Sequence, residues 1–411
     1  MSPAFSAVLP APTPTLSLFP EYPEHSPNKG PAELARLCEG PRGESYELVP
    51  VDCPPQEREA QARPLSAHET ARATATKLVG IARLAASSPP ADSQRASPQR
   101  PEYFVLPVRS ILNRCDSNRV PFEWTINPYR GCEFGCKYCY ARYTHEYMEL
   151  DATEFEKRIY VKQGAEAYLP REIARKYSYE SAASGGMAPE HIAIGTATDP
   201  YQPAEREYGV TRACLEELEK REGLSISITT KSHQILRDLD LLRRIAEKSA
   251  LFVNMTVSTV RNRLARLLEP RAPQPALRLA AVKQLREAGI STGVFASPLL
   301  PGITDRDGDL EAVAEAAREA GAQWFTSGVL FLTPSSSKVF MPFLQEKFPR
   351  LVGKYRQWYT RNTYAPEDYR KQVAERVARL QQKYGFHVRP WDEMKRPVLP
   401  VAQLRLDLGC A

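Results

Sequence analysis

Three closely spaced cysteines are the residues of this chain best suited to chemistry. Cys132, Cys136 and Cys139 follow one another as C-x3-C-x2-C. Three thiolates at this spacing can bind three irons of a cubic 4Fe–4S cluster, whereas a cluster that only carries electrons normally has four protein ligands. No fourth cysteine lies nearby, since the next one along the chain is Cys214. The spacing therefore predicts a cluster with one open iron, which can bind a substrate or a cofactor.

Two other roles for the three cysteines stay open from the sequence alone. A structural zinc ion takes four ligands, and His145, six residues after Cys139, could complete such a set. A disulfide with one spare thiol is the second alternative. We interpret His145 as a helix-surface or core histidine and Cys214 as a small apolar residue on a buried helix face. The other cysteines are scattered and show no disulfide framework: Cys38, Cys53, Cys115 and Cys410.

The residues around the cysteines resemble a known family. The pattern C-x3-C-x-aromatic-C, with Tyr138 at the aromatic position, resembles the signature of the radical S-adenosylmethionine (SAM) enzymes. A closer likeness is to the branch that contains spore photoproduct lyase and its relatives, and it extends over roughly residues 105–385. Four segments carry it: 127–132 (NPYRGC), 195–201 (GTATDPY), 269–273 (EPRAP) and 298–305 (PLLPGITD).

This resemblance implies a 4Fe–4S cluster on Cys132, Cys136 and Cys139, with SAM bound to the open iron. In the family, one electron from the cluster cleaves SAM to a 5′-deoxyadenosyl radical, while the protein orients the cofactor and excludes water. We therefore expect a radical SAM enzyme that takes its electron from a reducing donor such as flavodoxin or ferredoxin. The alternatives are an iron–sulfur electron carrier or sensor without catalysis, and a zinc-stabilised nucleic-acid-binding module.

The composition fits a large α/β protein, and an oxygen-sensitive cluster on thiolates suits the reducing cytoplasm. With 411 residues, of which 42% are hydrophobic, the chain can bury a sizeable core. No apolar run approaches the length of about 18 residues that a transmembrane helix needs, so no membrane partner is expected. The N-terminus lacks a basic segment followed by an apolar one, so no signal peptide is expected. A net charge of +6 permits nucleic-acid binding without demanding it.

Composition divides the chain into three parts. Residues 1–102 are expected to be a disordered extension, because 17 of the 36 prolines fall within residues 1–101 and such a segment buries too little apolar surface to offset the entropy of ordering. One helix is expected within it at 65–86. Residues 103–335 alternate between strand and helix patterns. Residues 336–411 are expected to form a helical extension, with two helices at 345–385 and a tail.

The central part predicts a parallel sheet. Strand patterns occur near Ile126 and at 191–196, 224–230, 251–257, 291–296 and 324–332. Helix patterns occur at 137–149, 205–221, 235–248 and 275–288, and from Asp305 or Asp307 to Ala320. This alternation is typical of βαβ units, and six units fit the partial (β/α)6, TIM-like barrel of the radical SAM family. In parallel barrels the functional site lies at the C-terminal strand ends.

The strand ends therefore predict contacts with the cofactor. The resemblance places Thr198 and Asp199 at the methionine amino group of SAM, and a hydroxyl and a carboxylate can accept hydrogen bonds from an ammonium. It places Lys231 at the methionine carboxylate. We expect Ser258 at a ribose hydroxyl and Tyr138 over the adenine. Each position has a plainer alternative, namely an Asp-Pro turn, a solvated lysine, a helix N-cap and loop packing.

The substrate is defined less sharply by the sequence. Spore photoproduct lyase carries a further cysteine, some tens of residues after the cluster, that donates a hydrogen atom to the product radical. This chain has no cysteine between Cys139 and Cys214, which argues against thymine-dimer repair. Tyr177, Tyr179 and Tyr201 are the tyrosines that we consider as alternative hydrogen donors.

Basic residues interleaved with aromatic ones suggest a nucleic-acid surface, because they can bind phosphate and stack on bases. From the sequence alone we favour a solvated helix face with aromatic packing, and keep a nucleic acid lesion or nucleotide as a candidate substrate. One such group comprises Lys354, Arg356, Arg361, Arg370 and Lys371 among Trp358, Tyr359, Tyr364 and Tyr369. A second, purely basic group comprises Arg261, Arg263, Arg266 and Arg271.

Overall fold

The structure is a computed structural model that describes residues 101–115, 117, 120–175 and 190–388, together with Ile81. The Pro-rich extension, the segment of Tyr177 and Tyr179, and the tail that follows residue 388 otherwise lie outside the described residues. The helix expected at 65–86 lies outside them too, except for Ile81, which is helical and packs against a small apolar cluster that includes Tyr160.

The described residues form two sheets. The strands are β1 (Glu102–Val105), β2 (Leu112–Arg114), β3 (Trp124–Ile126), β4 (Tyr129–Arg130), β5 (Arg158–Val161), β6 (His191–Ile194), β7 (Ser225–Thr230), β8 (Ala250–Thr256), β9 (Ser291–Phe295) and β10 (Phe325–Thr326). The larger sheet has the order β10-β9-β8-β7-β6-β3-β2, and the smaller one has the order β1-β5-β4. Within the larger sheet, the six strands β3, β6, β7, β8, β9 and β10 are parallel to their neighbours, whereas β2 is antiparallel to β3. Six parallel strands confirm the predicted partial barrel.

Helices lie between the strands of the barrel and, at the C-terminal side of the chain, after the last strand. They are α1 (Tyr143–Glu146), α2 (Glu205–Tyr208), α3 (Val210–Glu219), α4 (Leu239–Lys248), α5 (Asn262–Leu268), α6 (Pro275–Glu287), α7 (Asp307–Glu319), α8 (Pro334–Lys347), α9 (Val352–Tyr359) and α10 (Glu367–Tyr384). Buried residues such as Leu242, Val282 and Val313 join the sheet and the helices in one core. Cys214 on α3 is fully buried in this core, as predicted. In the described part of the chain, no helix has the length and apolarity to cross a membrane.

Two predicted helices differ in the structure because of local backbone geometry. The segment 205–221 forms two helices, since Gly209 has a φ of 61°, a left-handed conformation that ends a helix and that glycine adopts at little cost. The helix predicted at 137–149 is reduced to the 3₁₀ turn Tyr140–Arg142 followed by α1. Its first residues belong instead to the loop that carries the cysteines.

The sixth parallel strand and the helix before it also differ from their predicted bounds. β10 has two residues instead of the predicted 324–332, because the chain leaves the sheet and pairs again only at Val329, with Leu299. At the start of α7, Arg306 occupies the N-cap position, so neither predicted aspartate caps this helix. Asp305 instead accepts a hydrogen bond from the Gly302 amide at 2.6 Å.

The C-terminal part is helical: α9 and α10 are the two helices predicted within 345–385, and α8 precedes them. α8 begins at Pro334, and Thr333 caps it by accepting a hydrogen bond from the Ser336 amide at 3.2 Å. The Ser336 hydroxyl donates to the Cys139 carbonyl at 3.0 Å. α10 packs on α7. The C-terminal helices therefore contact both the barrel and the cysteine loop.

Buried side chains close the interior of the barrel at the N-terminal strand ends. The His191 ring lies 2.7 Å from the Ser225 hydroxyl, and burial lowers the pKa of His191 to about 4. The Trp324 indole donates to Asn254 Oδ1 at 3.1 Å. Gly293 leaves the space that the indole fills, because an added Cβ would lie 2.3 Å from the ring.

We predict that Gly293→Ala destabilises the fold by about 1–3 kcal/mol, because the new methyl group overpacks the interior against Trp324. The measurement is the urea midpoint of unfolding, followed by circular dichroism. Gly308→Ala in α7 is the matched control, since an added Cβ there meets nothing within 4 Å. That control should be neutral or up to about 1 kcal/mol more stable. Equal midpoints for the two variants would contradict the packed interior layer.

Candidate active site

Backbone hydrogen bonds hold the cysteine loop on both sides. At its start the Cys132 amide donates to the Phe155 carbonyl at 3.1 Å, and in its middle the Lys137 amide donates to the Leu268 carbonyl at 2.9 Å. Gly131 is required at the entry to the loop, because its φ is 84° and an added Cβ would lie 2.7 Å from the Phe155 carbonyl oxygen. The surrounding barrel therefore fixes the shape of the loop.

The structure brings the three predicted cysteines together. Cys132, Cys136 and Cys139 are free thiols, so the disulfide alternative is wrong. All three line one cavity at the C-terminal ends of the parallel strands. Burial raises the pKa of the Cys136 thiol to about 12. Thiolates become favourable in such a place only beside strong positive charge, which the irons of a cluster provide.

The donor set fits a cluster with an open iron and gives no support to a zinc ion. Zinc holds its ligands at about 2.0–2.3 Å, and the described ranges contain no group of three or more His, Cys, Asp or Glu side chains that could hold one metal ion. His145 is buried in the core, as expected, with its Nε2 2.9 Å from the Arg158 carbonyl oxygen. In a 4Fe–4S cluster each thiolate binds a different iron, so the three thiolates need to line one cavity but need not meet at one ion. The three cysteines line one cavity.

Asp199 and Thr198 lie in the cavity wall and also connect neighbouring elements. Asp199 Oδ1 accepts a hydrogen bond from the Thr230 hydroxyl at 2.7 Å, and Oδ2 accepts one from the Lys231 amide at 2.7 Å. Thr198 donates to the Gly131 carbonyl at 2.7 Å. Burial raises the pKa of Asp199, and the hydrogen bonds that it accepts oppose this rise. Both Asp199 oxygens accept hydrogen bonds from the barrel, and a carboxylate keeps further lone pairs for a group in the cavity.

Lys231 places an ammonium in the same cavity. Within the part of the chain that the structure describes, its Nζ makes no hydrogen bond and no ion pair. The Nζ lies 5.9 Å from the centre of the Tyr138 ring. Burial disfavours the charged form, but Cys136 and Glu269 outweigh it and raise the pKa of Lys231. The side chain is therefore a charged group suited to an incoming carboxylate.

Tyr138 and Ser258 belong to a buried network beneath the cysteine loop. The Tyr138 hydroxyl donates to Glu269 and lies 3.1 Å from the Ser258 hydroxyl. Arg278 pairs with Glu269 and donates to the Thr256 carbonyl at 3.0 Å. Burial disfavours charge on Glu269, but Arg278 keeps the pKa of this carboxyl below its ordinary value. Tyr138 lines the cavity, whereas Ser258 lies behind the wall.

Several residues of the site were not predicted. Glu269 begins the EPRAP segment that carried part of the family resemblance, so its importance had a sequence signal, whereas the pairing with Arg278 had none. Tyr140 and Phe331 line the cavity without having been singled out. Tyr201 is fully buried and not part of the cavity wall, so it is not placed to donate a hydrogen atom there.

Comparison with known sequences assigns the chain to a family. Residues 126–331 match the radical SAM superfamily. An uncharacterised protein of Mycobacterium tuberculosis is 33% identical over 315 residues, which cover 74% of this chain and 90% of that protein. An uncharacterised protein of Methanocaldococcus jannaschii is 29% identical over 227 residues, which cover 55% of this chain and 77% of that protein.

Solved structures of spore photoproduct lyase have a similar fold. A variant solved with the dinucleoside spore photoproduct has a TM-score of 0.52 at 14% identity, covering 77% of this chain and 91% of its own. A variant solved with SAM and the same dinucleoside has a TM-score of 0.51 at 16% identity, covering 69% and 79%. The fold, the family match and the sequence relatives agree: this chain belongs to the radical SAM superfamily and is a radical SAM enzyme.

Proposed function

We propose that this enzyme binds a 4Fe–4S cluster through Cys132, Cys136 and Cys139, uses it to cleave SAM, and acts on a nucleic acid lesion or a nucleotide. The observation that supports this most is the joint placement, around a single cavity, of three free thiols and the Lys231 ammonium, which makes no hydrogen bond or ion pair within the described ranges. When bound, the cluster and SAM supply a 5′-deoxyadenosyl radical that abstracts a hydrogen atom from the substrate.

Different side chains of the cavity wall contact different parts of SAM. The Lys231 ammonium pairs with the methionine carboxylate, and Thr198 and Asp199 face the methionine amino group at the end of β6. Tyr138 packs on the adenine. Ser258 supports the Tyr138 ring from behind through its contact with the Tyr138 hydroxyl. We do not assign Ser258 the contact with the ribose hydroxyl that the sequence suggested.

The electron enters from a reducing protein such as flavodoxin or ferredoxin. A basic surface borders the cysteine loop, where the Arg271 amide donates to the Phe134 carbonyl at 3.3 Å. Arg263 and Arg266 on α5 are exposed beside it. Electrostatic complementarity of this kind steers acidic partners to a surface.

A nucleic acid or nucleotide substrate is supported by the fold shared with spore photoproduct lyase, which was solved with a dinucleoside photoproduct. The absence of a cysteine between Cys139 and Cys214 separates this chain from the hydrogen-transfer step of that enzyme. We therefore propose the class of substrate and leave the reaction subclass open. An electron carrier without catalysis would need a fourth cluster ligand, and the geometry gives that alternative no support.

We predict that Cys132→Ala, Cys136→Ala and Cys139→Ala each abolish stable cluster binding, because two thiolates cannot hold the cluster against hydrolysis and oxidation. Iron and sulfide content after anaerobic reconstitution is the measurement. Cys214→Ala is the control, since this thiol is buried in the core away from the cavity wall, and it should retain the cluster. Wild-type iron and sulfide in any of the three variants would refute the ligand assignment.

We predict that Lys231→Ala weakens SAM binding by about 10- to 150-fold, because one charge-assisted hydrogen bond of about 1.5–3 kcal/mol is lost. Calorimetric titration of SAM into the reconstituted protein measures this effect, and iron content should stay unchanged. Lys283→Ala on α6, an exposed lysine outside the cavity wall, is the control. A SAM affinity within about twofold of wild type for Lys231→Ala would overturn its placement at the carboxylate.

Asp199→Ala should weaken SAM binding and also lower the unfolding temperature. The carboxylate joins the ends of β6 and β7 through Thr230 and the Lys231 amide, and leaving such buried donors unpaired costs about 1–3 kcal/mol. Thermal unfolding of the apoprotein separates this structural effect from the loss of SAM contacts. An unchanged unfolding temperature would show that the strand ends do not depend on Asp199.

A further inference from the structure

Positive charge is concentrated in the C-terminal helices. Residues 334–388 contain eleven Lys and Arg residues against four Asp and Glu residues, a net charge of +7, whereas the whole chain carries +6. The rest of the chain is therefore close to neutral. An asymmetry of this kind marks the part of a protein that meets a polyanion.

A groove of about 870 Å³ runs between these helices and α1. Its wall contains four aromatic side chains, which are Tyr143, Tyr147, Trp358 and Tyr364. None of them is fully buried, and Tyr147 is 56% exposed. Aromatic faces that line a groove on a charged surface are suited to stacking with nucleobases.

The charged residues of the groove leave it positive. Glu146 and Glu367 line it, but each is paired, with Lys338 at 2.8 Å and with Lys371 at 2.7 Å respectively. Arg361 also lines it, is exposed, and makes neither a hydrogen bond nor an ion pair with the described part of the chain. The two acidic groups are thus compensated, while a cation remains available.

Two aromatic rings of the groove wall each have a cation over them. The Arg370 guanidinium lies 5.3 Å from the centre of the Tyr364 ring, and the Lys354 ammonium lies 4.3 Å from the centre of the Trp358 ring. These contacts hold each positive charge beside a ring face. A base stacked on the ring would bring its phosphate close to the neighbouring cation.

The groove shares a wall with the cavity that contains the cysteines. Tyr140 and Phe331 line the cavity, while Tyr143 and Tyr364 line the groove. The rings of Phe331 and Tyr364 are 4.8 Å apart, and those of Tyr140 and Tyr143 are 6.4 Å apart. A ligand in the groove therefore lies one layer of aromatic rings away from the site of radical chemistry.

We propose that this groove binds single-stranded nucleic acid and presents one nucleotide of the strand to the cavity across Tyr140 and Phe331. This inference deepens the proposed function and rests on it for the identity of the cavity. Phosphates contact Arg361 and Arg370, and bases stack on the aromatic wall. An unpaired strand is the occupant, because stacking on side chains requires base faces that a duplex keeps covered. An acidic protein would pair with the arginines of the groove, but it would not use the aromatic side chains of the groove wall.

Fluorescence anisotropy with a labelled oligothymidylate of about 12 nucleotides tests the proposal on the full-length protein. The double variant Arg361→Ala/Arg370→Ala should weaken binding at least about tenfold and make the slope of log K against log salt shallower by about 1.4 for two lost phosphate contacts. Tyr147→Ala should weaken binding by about 5- to 150-fold through lost stacking. Arg361→Glu changes an exposed residue that has no hydrogen bond or ion pair with the described ranges, so it gives the same test with little risk to folding.

The matched control is Arg243→Ala/Arg318→Ala, which removes two exposed arginines from α4 and α7. It should retain wild-type affinity. An equal loss in this control, or no binding by the wild type at low salt, would overturn the proposal. So would groove variants that lose affinity for an acidic flavodoxin while they keep their affinity for the oligonucleotide.

A second readout separates this proposal from the proposed function. The groove variants should form 5′-deoxyadenosine from SAM and dithionite at the wild-type rate, because none of the changed residues lines the cavity. If the wild type forms no 5′-deoxyadenosine, the proposed function fails, whereas the binding data still decide the role of the groove.

Discussion

The buried ion pair between Glu269 and Arg278 is the interaction on which the site depends most. Glu269 directly follows α5, Arg278 lies on α6, and the pair also binds Tyr138 of the cysteine loop and the end of β8. Both charged side chains are at most 2% exposed. Losing one partner of such a pair costs about 3–5 kcal/mol, because the other charge stays buried without compensation. The pair therefore ties the barrel to the loop that carries the cysteines.

The parallel sheet supplies the second constraint. Its strands all end at one edge, so short polar segments from distant parts of the chain meet there. Asp199 after β6 accepts hydrogen bonds from Thr230 and the Lys231 amide at the end of β7, and Thr198 donates to Gly131 before the first cysteine. The residues that we assign to SAM are thus also the residues that hold the strand ends in register. These side chains are held by hydrogen bonds within the protein, so the wall is organised before the cofactor arrives.

The sequence was sufficient for features that depend on local pattern. The cysteine spacing identified the three thiols, and the alternation of strands and helices predicted six parallel strands. Predictions from the sequence failed where contacts between distant parts of the chain determine the local structure. The pattern at 137–149 predicts one helix. Hydrogen bonds from the Cys132 amide to Phe155 and from the Lys137 amide to Leu268 instead hold the first part of this region in the cysteine loop, and helical structure begins only at Tyr140. The pairing of Glu269 with Arg278 could not be foreseen, because it depends on how the turn after α5 folds back on the barrel.

The interleaved basic and aromatic residues of the C-terminal helices show the same limit in a different way. The sequence alone favours a solvated helix face with aromatic packing, and part of the set does pack: the Tyr359 hydroxyl donates to the Leu330 carbonyl at 3.1 Å. The structure separates this residue from those that face the groove.

The two ends of the cysteine loop face different surfaces. Phe134 lies between the cavity and a second pocket that Arg266 and Arg271 line, whereas the Cys139 carbonyl accepts a hydrogen bond from Ser336 of α8 beside the groove. An electron donor on the first surface and a substrate on the second could therefore bind together. Each would lie close to the cluster without displacing the other. This separation suits the radical chemistry that we propose, in which an electron reaches the cysteines from one side while the substrate, on the other, helps to keep water from the cavity.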